Sequence, residues 1–453
     1  MTERLFRSVD VAPIAAFRVL FGLVMAWEAS RYLMYGWVDD YWVEPGWHFT
    51  YPGFDWVQPL PGPVLKGIMV GMHVLGWMIA LGVFSRVAVF LVGVGWTYFF
   101  LLDQMTYLNH MYLICVLCGL MAISPAHRTF SLQAWFTGRE VGAAPWWSAT
   151  LVRNYVAVVY FFAGVAKINP DWLQAQPMIM WMERRRDMAV VGDLLAHDGM
   201  AWFLSYGGLL FDLAVGPMLL FRRTRIWILP AVIAFHLTNA TVFHIGVFPW
   251  MMLGACVLFL EPETIRGFLS RRWRTLALPA PAAPPAGPTA RRVGLAFLVA
   301  FFGVQLALPF RHLRYPGSPS WTEEGHLFAW HMKLRSKSAR LSYLVVDPVG
   351  KRRWTVDPQE HLSKRQARKI KTRPDLIWLF AQRIAEEEAA LGNTEVRVFA
   401  RSFAGLNGRP KQPFIDPDVD LARADRHVFS HAPWILPMDD VAPGAAKGAG
   451  VDE

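Results

Sequence analysis

The chain has 453 residues, 54% of them hydrophobic, with 21 Trp and 31 Phe and only 18% charged. That balance excludes an ordinary soluble domain and fits a polytopic membrane protein with a soluble appendage. The formal charge of +10 does not by itself indicate nucleic acid. Many of the basic residues sit in short loops between apolar segments, which is the pattern of membrane orientation.

The first apolar run follows Arg4, Arg7 and Asp10 and contains Arg18 and Glu28. It reads as a spanning helix and not as a cleaved signal. Segments of spanning length lie near 12–34, 65–84, 86–102, 108–123, 150–167, 201–221, 226–243, 246–260 and 292–309. The expected fold is an all-α membrane bundle of about nine helices over 1–310, followed by a smaller mixed α/β exported domain over 311–440. Residues 441–453 read as a disordered tail. All three cysteines, Cys115, Cys118 and Cys256, fall inside apolar runs, so no disulfide is expected in the exported part. Arg18, Glu28 and Arg31 on the first helix have the spacing for pairs within that helix or with a neighbour.

Basic residues alternate from loop to loop. Arg4 and Arg7, Arg86, Arg128 and Arg139, Arg222 to Arg225, and Arg266 to Arg292 mark one side. The loops at 35–64, 103–107 and 244–245 contain no Lys or Arg. The positive-inside rule therefore puts the N-terminus in the cytoplasm and, after nine crossings, the C-terminal domain outside, as in a bacterial inner membrane. Arg184–Arg186 run against this pattern, and the 168–200 loop reads as an interfacial helix on lipid phosphates. A proline-rich linker is expected at 277–290. Beyond it, 341–346 and 352–356 form a hairpin around Asp347–Gly350, 374–391 an amphipathic helix and 395–399 a further strand.

The apolar run before Lys167 ends in Ala163-Gly-Val-Ala-Lys167 and breaks at Asn169-Pro170. A lysine here is either a snorkelling anchor or a buried functional group. The topology brings Asn109 and His110, at the start of one helix, to the same depth as His236 and Asn239 on another. Polar groups at such depth face a bundle interior or cavity. Asp212, in the middle of its helix, is expected to pair with a buried donor. There is no Gly-x-x-x-x-Gly-Lys, no Gly-x-Gly-x-x-Gly after a strand, no His-Glu-x-x-His and no Gly-x-Ser-x-Gly. An amine and imidazoles without metal carboxylates suit proton abstraction from a lipid-soluble substrate.

Several motifs in order carry a family resemblance. They are Leu108-Asn-His-Met-Tyr, Tyr160-Phe-x-Ala-Gly-x-x-Lys-x-x-x-Asp-Trp-Leu, Phe211-Asp-Leu, Phe235-His-x-x-Asn and Gly246-x-Phe-Pro-Trp-Met. Trp321-Thr-Glu-Glu-Gly-His326, Trp330-His-Met-Lys-Leu-Arg335 and Leu406-Asn-Gly-Arg follow in the exported part. Together the chain resembles the vitamin K-dependent γ-glutamyl carboxylases in their bacterial form with an HTTM membrane domain.

The resemblance implies an enzyme that oxidises reduced vitamin K, phylloquinol or menaquinol, to its epoxide with O2. The base so formed removes a glutamate γ-proton, and CO2 adds to the carbanion; no metal takes part. Lys167 is then the base that deprotonates the quinol, and His110 steadies developing negative charge. Desolvation or nearby cations would have to favour the free amine of Lys167. Asn109, His236, Asn239, Phe162 and Trp250 are expected at the vitamin K site. Trp330, His331 and Arg335 are expected to contact the glutamate-containing protein or peptide. The implied partners are the lipid bilayer and that acceptor, with no nucleic acid. Two departures mark this chain. Phe328 stands where the animal enzymes carry a tyrosine, and the exported part has no cysteine for their disulfide. The alternatives are a quinol epoxidase that carboxylates no protein and a non-catalytic module that holds lipid or peptide.

Overall fold

The computed structural model describes residues 2–138, 141–243, 245–270, 287–439 and 441–443. Most of the expected linker and tail, and also Arg139 and His244, lie outside the described residues. The chain divides into two compact units. The first comprises Met1–Val43, Phe54–Phe161 and Leu213–Leu306, the second Glu44–Gly53, Phe162–Asp212 and Ala307–Glu453.

The first unit is helical. Its helix α1 (Ala12–Met34) lies against α2 (Gly62–Leu81). Glycines set that crossing: a Cβ at Gly22 would stand 2.4 Å from the Ala80 nitrogen, and one at Gly76 2.5 Å from the Ala26 nitrogen. Small residues let backbones approach where helices gain little from hydrophobic contact alone. Arg18 is buried in α1 and donates to the carbonyls of Ala80, Ala126 and Phe130. Its charge is thus met by backbone oxygens, whereas Glu28 pairs with Arg31 one turn on, at 2.6 Å. Next come α3 (Ser85–Leu102), α4 (Asn109–Ile123) and α5 (Trp146–Val165).

A short antiparallel pair, β1 (Ser8–Asp10) with β2 (Ala143–Pro145), ties the N-terminal segment to the approach to α5. Arg266 holds Asp10 with two hydrogen bonds at 2.7 and 2.9 Å.

The expectation of nine spans is not met. Among the described residues six helices are long and apolar enough to cross a membrane, or seven if one bent pair counts as a single span. Helices do stand at all nine places, and three fail for separate reasons. Helix α4 has only 15 residues, about 22 Å at 1.5 Å per residue, short of the ~30 Å hydrocarbon core. Arg222–Val242, which opens with Arg222, Arg223 and Arg225 and carries His236 and Asn239 toward its end, is not among the six. Phe248–Phe259 is followed by Pro262–Phe268 at a bend of 106°. Sequence hydropathy cannot see that bend.

The second unit carries a four-stranded antiparallel sheet in the order β4-β3-β5-β6, with β3 (Lys337–Asp347), β4 (Arg352–Val356), β5 (Arg397–Leu406) and β6 (Gln412–Pro413). The expected hairpin is present, with Asp347 opposite Arg352. The Asp347 carboxylate closes its turn by accepting from the Val349 and Gly350 amides. Helix Pro374–Ala390 forms as expected and packs its Leu376, Ile377, Phe380 and Ile384 face inward. The strand expected at 395–399 starts later and runs much further, because Val398, Ala400, Ser402 and Ala404 keep the period-two burial that pairs it along β3.

Candidate active site

Lys167 follows the last turn of α5, and its ammonium is buried in the second unit. It donates to the Ala163 carbonyl at 3.1 Å and to the Asp212 carboxylate at 2.5 Å. Both side chains of this ion pair are less than a tenth exposed. The amine also faces the Trp172 ring at 5.4 Å. Trp172 is held in place by reciprocal bonds with Ser205, its indole donating to the Ser205 carbonyl while the Ser205 hydroxyl donates to the Trp172 carbonyl. A snorkelling anchor would carry its amine to water; this one is enclosed by a carboxylate, a carbonyl and an indole. Asp212 is therefore the partner of Lys167, and the buried charge next to the amine is a carboxylate.

The break after Lys167 has its own logic. Asn169 caps the short helix Pro170–Leu173 by accepting from the Trp172 amide. That turns Asp171 toward the four-stranded sheet, where Arg409 holds it bidentately at 2.7 and 2.8 Å and Asn407 donates at 2.7 Å. The Asp171-Trp172-Leu173 and Leu406-Asn-Gly-Arg motifs, far apart in sequence, meet at this carboxylate.

In the first unit, His236 is fully buried. Its Nε2 shares a hydrogen bond of 2.6 Å with the Tyr160 hydroxyl. Its Nδ1 has no hydrogen-bond partner among the described residues. The Phe248 ring stands edge-on to His236 at 6.0 Å and 6.4 Å from the His110 ring. The structure thus gathers His110, His236, Tyr160 and Phe248. Asn109 accepts from the Tyr107 hydroxyl at 2.9 Å, and Asn239 is half-buried. Phe162 packs edge-on against Phe310 in the second unit. Trp250 is 44% exposed and lies edge-on to Trp27. Tyr160 belongs to the same motif as Lys167, and the sequence alone assigns it no role. The available signal was its place seven residues, about two helical turns, before Lys167.

The 321–335 segment winds tightly, with Glu323, Gly325, Phe328, Trp330 and Lys333 all at positive φ. Only glycine fits at 325, where a Cβ would stand 2.5 Å from the His312 Cα. Trp330 and His331 are buried, and Arg335 is ion-paired with Glu323 and donates to His326. These side chains build an interior hub of the second unit.

Burial, with His312 and Arg335 alongside, pushes the His331 imidazole down to about 3. Burial and then Arg335 hold His326 well below its ordinary value. Both are neutral in the folded chain at neutral pH. An unfolded histidine gains a proton below about pH 6.5, so acid favours unfolding. The contribution is whole above about pH 6.5 and is lost toward about pH 3. For one such histidine it amounts to ~2 kcal/mol between pH 6.5 and 5. Tryptophan-detected melting should therefore drop between about pH 7.5 and 5, and His331→Gln should flatten the slope. A melting temperature that does not change with pH would contradict this.

Among the described residues no group of His, Cys, Asp and Glu has the arrangement of a metal site. Residues 6–263 match the family model described as HTTM domain, and 290–441 match the one described as vitamin K-dependent gamma-carboxylase, lumenal domain. No solved structure matches. The first match alone spans more than half of the chain, the second begins after it in the same order, and the sequence motifs fall inside both. The chain belongs to the vitamin K-dependent gamma-carboxylase family.

Proposed function

We propose that this multi-pass membrane protein is a vitamin K-dependent γ-carboxylase acting on glutamate side chains of a protein or peptide. The observation that carries the reading is the buried Lys167–Asp212 pair in a family that oxidises reduced vitamin K. When bound, the quinol and O2 supply the strong base that removes a glutamate γ-proton, ending as quinone epoxide and water while CO2 becomes the new carboxylate.

The chain's residues support this in distinct ways. A buried ammonium–carboxylate pair holds one transferable proton, so the pair can present Lys167 as a free amine to a quinol hydroxyl while Asp212 keeps the proton. The Nδ1 of His236 has no hydrogen-bond partner among the described residues, the Tyr160 hydroxyl fixes the ring through Nε2, and Phe248 supplies an apolar wall. Such a place fits a quinol oxygen on an aromatic body. His110 is assigned to steadying developing negative charge, with Asn109, Asn239, Phe162 and Trp250 as further vitamin K contacts. Trp330, His331 and Arg335, being interior, would serve the acceptor by holding the backbone of the 321–335 segment. The functional division is 1–310 for the membrane chemistry and 311–440 for the acceptor.

Incubation of solubilised protein with reduced vitamin K, O2, labelled bicarbonate and a Glu-containing peptide tests the proposal. Epoxide with fixed label is expected. Epoxide alone would leave an epoxidase, and neither product a binding module. We assign the N-terminus to the cytoplasm and the C-terminal domain to the outside, which the seven-span count still allows because seven is odd. A reporter active only outside the cytoplasm, fused at residue 440, should be active. A silent reporter on a well-expressed chain would put the C-terminal domain in the cytoplasm and refute this assignment.

A further inference from the structure

A basic cavity of about 580 Å³ lies in the second unit, and none of the residues assigned above to chemistry lines it. It is lined by Lys364, Arg368 and Lys371, with Lys337, Ser338 and Gln359 among its other walls and no Asp or Glu. The capping box of Ser363 and Gln366 starts the helix Lys364–Ile370 and so fixes which face is which. On one face Gln366 donates to the Trp47 carbonyl at 2.8 Å, and just beyond the helix Arg373 pairs with Asp375. The other face carries Lys364, Arg368 and Lys371 at i, i+4 and i+7, none joined to an ion pair or side-chain hydrogen bond among the described residues. Like charges at i, i+4 cost a helix about 0.2–0.5 kcal/mol. Here they are gathered in a concavity with no carboxylate to offset them.

We propose that this cavity is an acceptor-docking site that binds a carboxylate-rich stretch of the polypeptide to be modified. The proposal rests on the reading that the acceptor is a glutamate-bearing protein. The three cations span about 10 Å along the helix, more than the ~7 Å between two successive same-face side chains on an extended peptide. That suits several carboxylates better than one compact anion. The other lining residues are small or polar, Ala339, Ala367 and Thr372 among them. A surface that inserts into lipid carries large apolar side chains beside its cations, and this one has none. A glutamate-rich segment held here would raise the local concentration of its neighbouring glutamates at the site of chemistry.

The test uses full-length protein in nanodiscs of neutral lipid and fluorescence anisotropy with a labelled glutamate-rich peptide. A glutamine-for-glutamate peptide of equal length is the control. The glutamate peptide should bind, with affinity falling steeply as salt rises. Lys364→Glu/Arg368→Glu/Lys371→Glu should weaken it at least tenfold. The milder Lys364→Gln/Arg368→Gln/Lys371→Gln, matched in melting temperature to wild type, should weaken it in the same direction. Carboxylation of a tripeptide with a single glutamate should not change in either variant. Equal binding by wild type and both variants overturns the proposal, as does equal binding of the two peptides. Loss of binding to phosphatidylglycerol vesicles with peptide binding intact assigns the cavity to a membrane and overturns it too. Wild type that makes epoxide and fixes label but binds no peptide refutes the cavity alone. Peptide binding as expected, with no epoxide and no fixed label, refutes the carboxylase reading and leaves the cavity's ligand class standing.

Discussion

Lys167→Ala is expected to lower epoxide formation by a factor of about 10² or more, the usual scale for losing general-base catalysis. Carboxylation should fall with it, because the base that takes the γ-proton is made from the quinol. Raising the pH or adding a small amine should restore part of the rate, as either can deprotonate the quinol. His110→Ala should lower the rate without amine rescue, since stabilising charge in place is not a task an added base can take over. Sequence reasoning expects Lys167→Ala to fold well because it removes a costly charge. The structure changes that expectation. Asp212 would remain as a buried carboxylate without its 2.5 Å partner, and breaking one side of a buried pair costs about 3–5 kcal/mol. The single variant should therefore express poorly, and Lys167→Met/Asp212→Asn should recover expression while staying inactive. Asp212→Asn alone should also lose activity, and the double variant should be no slower than Lys167→Met, because residues acting as a unit do not add. A well-folded double variant that makes epoxide at the wild-type rate would end the base assignment.

The second large effect is structural. Arg409→Ala would strip the bidentate donor from Asp171, whose side chain is only 13% exposed, and leave Asn407 as its remaining side-chain donor. A loss of about 3–5 kcal/mol is expected, enough to lower the melting temperature clearly and to reduce the yield of folded protein. Asp171→Asn keeps the shape and removes the charge. Combined with Arg409→Gln it should regain at least half of the lost stability, because no charge is then left unpaired. Melting of Arg409→Ala at the wild-type temperature would show that the pair holds nothing together.

Much of this was legible in the chain. The helices at the nine apolar runs, the hairpin around Asp347–Gly350 and the helix after Pro374 follow from period and turn chemistry. What was not legible involves geometry between distant residues. The angle of the 106° bend between Phe259 and Pro262 is not given by hydropathy, so the apolar run before it looks like a span. Asp212 was expected to find a donor, but nothing in Phe-Asp-Leu says that the donor is Lys167, 45 residues earlier. Asp171 and Arg409 sit in separate motifs 238 residues apart. From the sequence, Trp330, His331 and Arg335 read as contacts to the acceptor. Burial and the Glu323 partner appear only once the positive-φ turns are in place. The split of the Lys364–Ile370 helix into an engaged face and a cavity-lining face required the helix and its neighbours.

In the proposed reaction, oxidation of the quinol makes a base which is spent on a glutamate γ-carbon. It can be read without carbon dioxide. In heavy water with bicarbonate withheld, a carbanion at the γ-carbon must take its proton from solvent. Wild-type protein supplied with reduced vitamin K, oxygen and a glutamate peptide should therefore introduce deuterium at that carbon while epoxide accumulates. No deuterium should enter when the quinol or oxygen is left out, or with Lys167→Met/Asp212→Asn. Epoxide formed at full rate with no deuterium in the peptide would contradict the account.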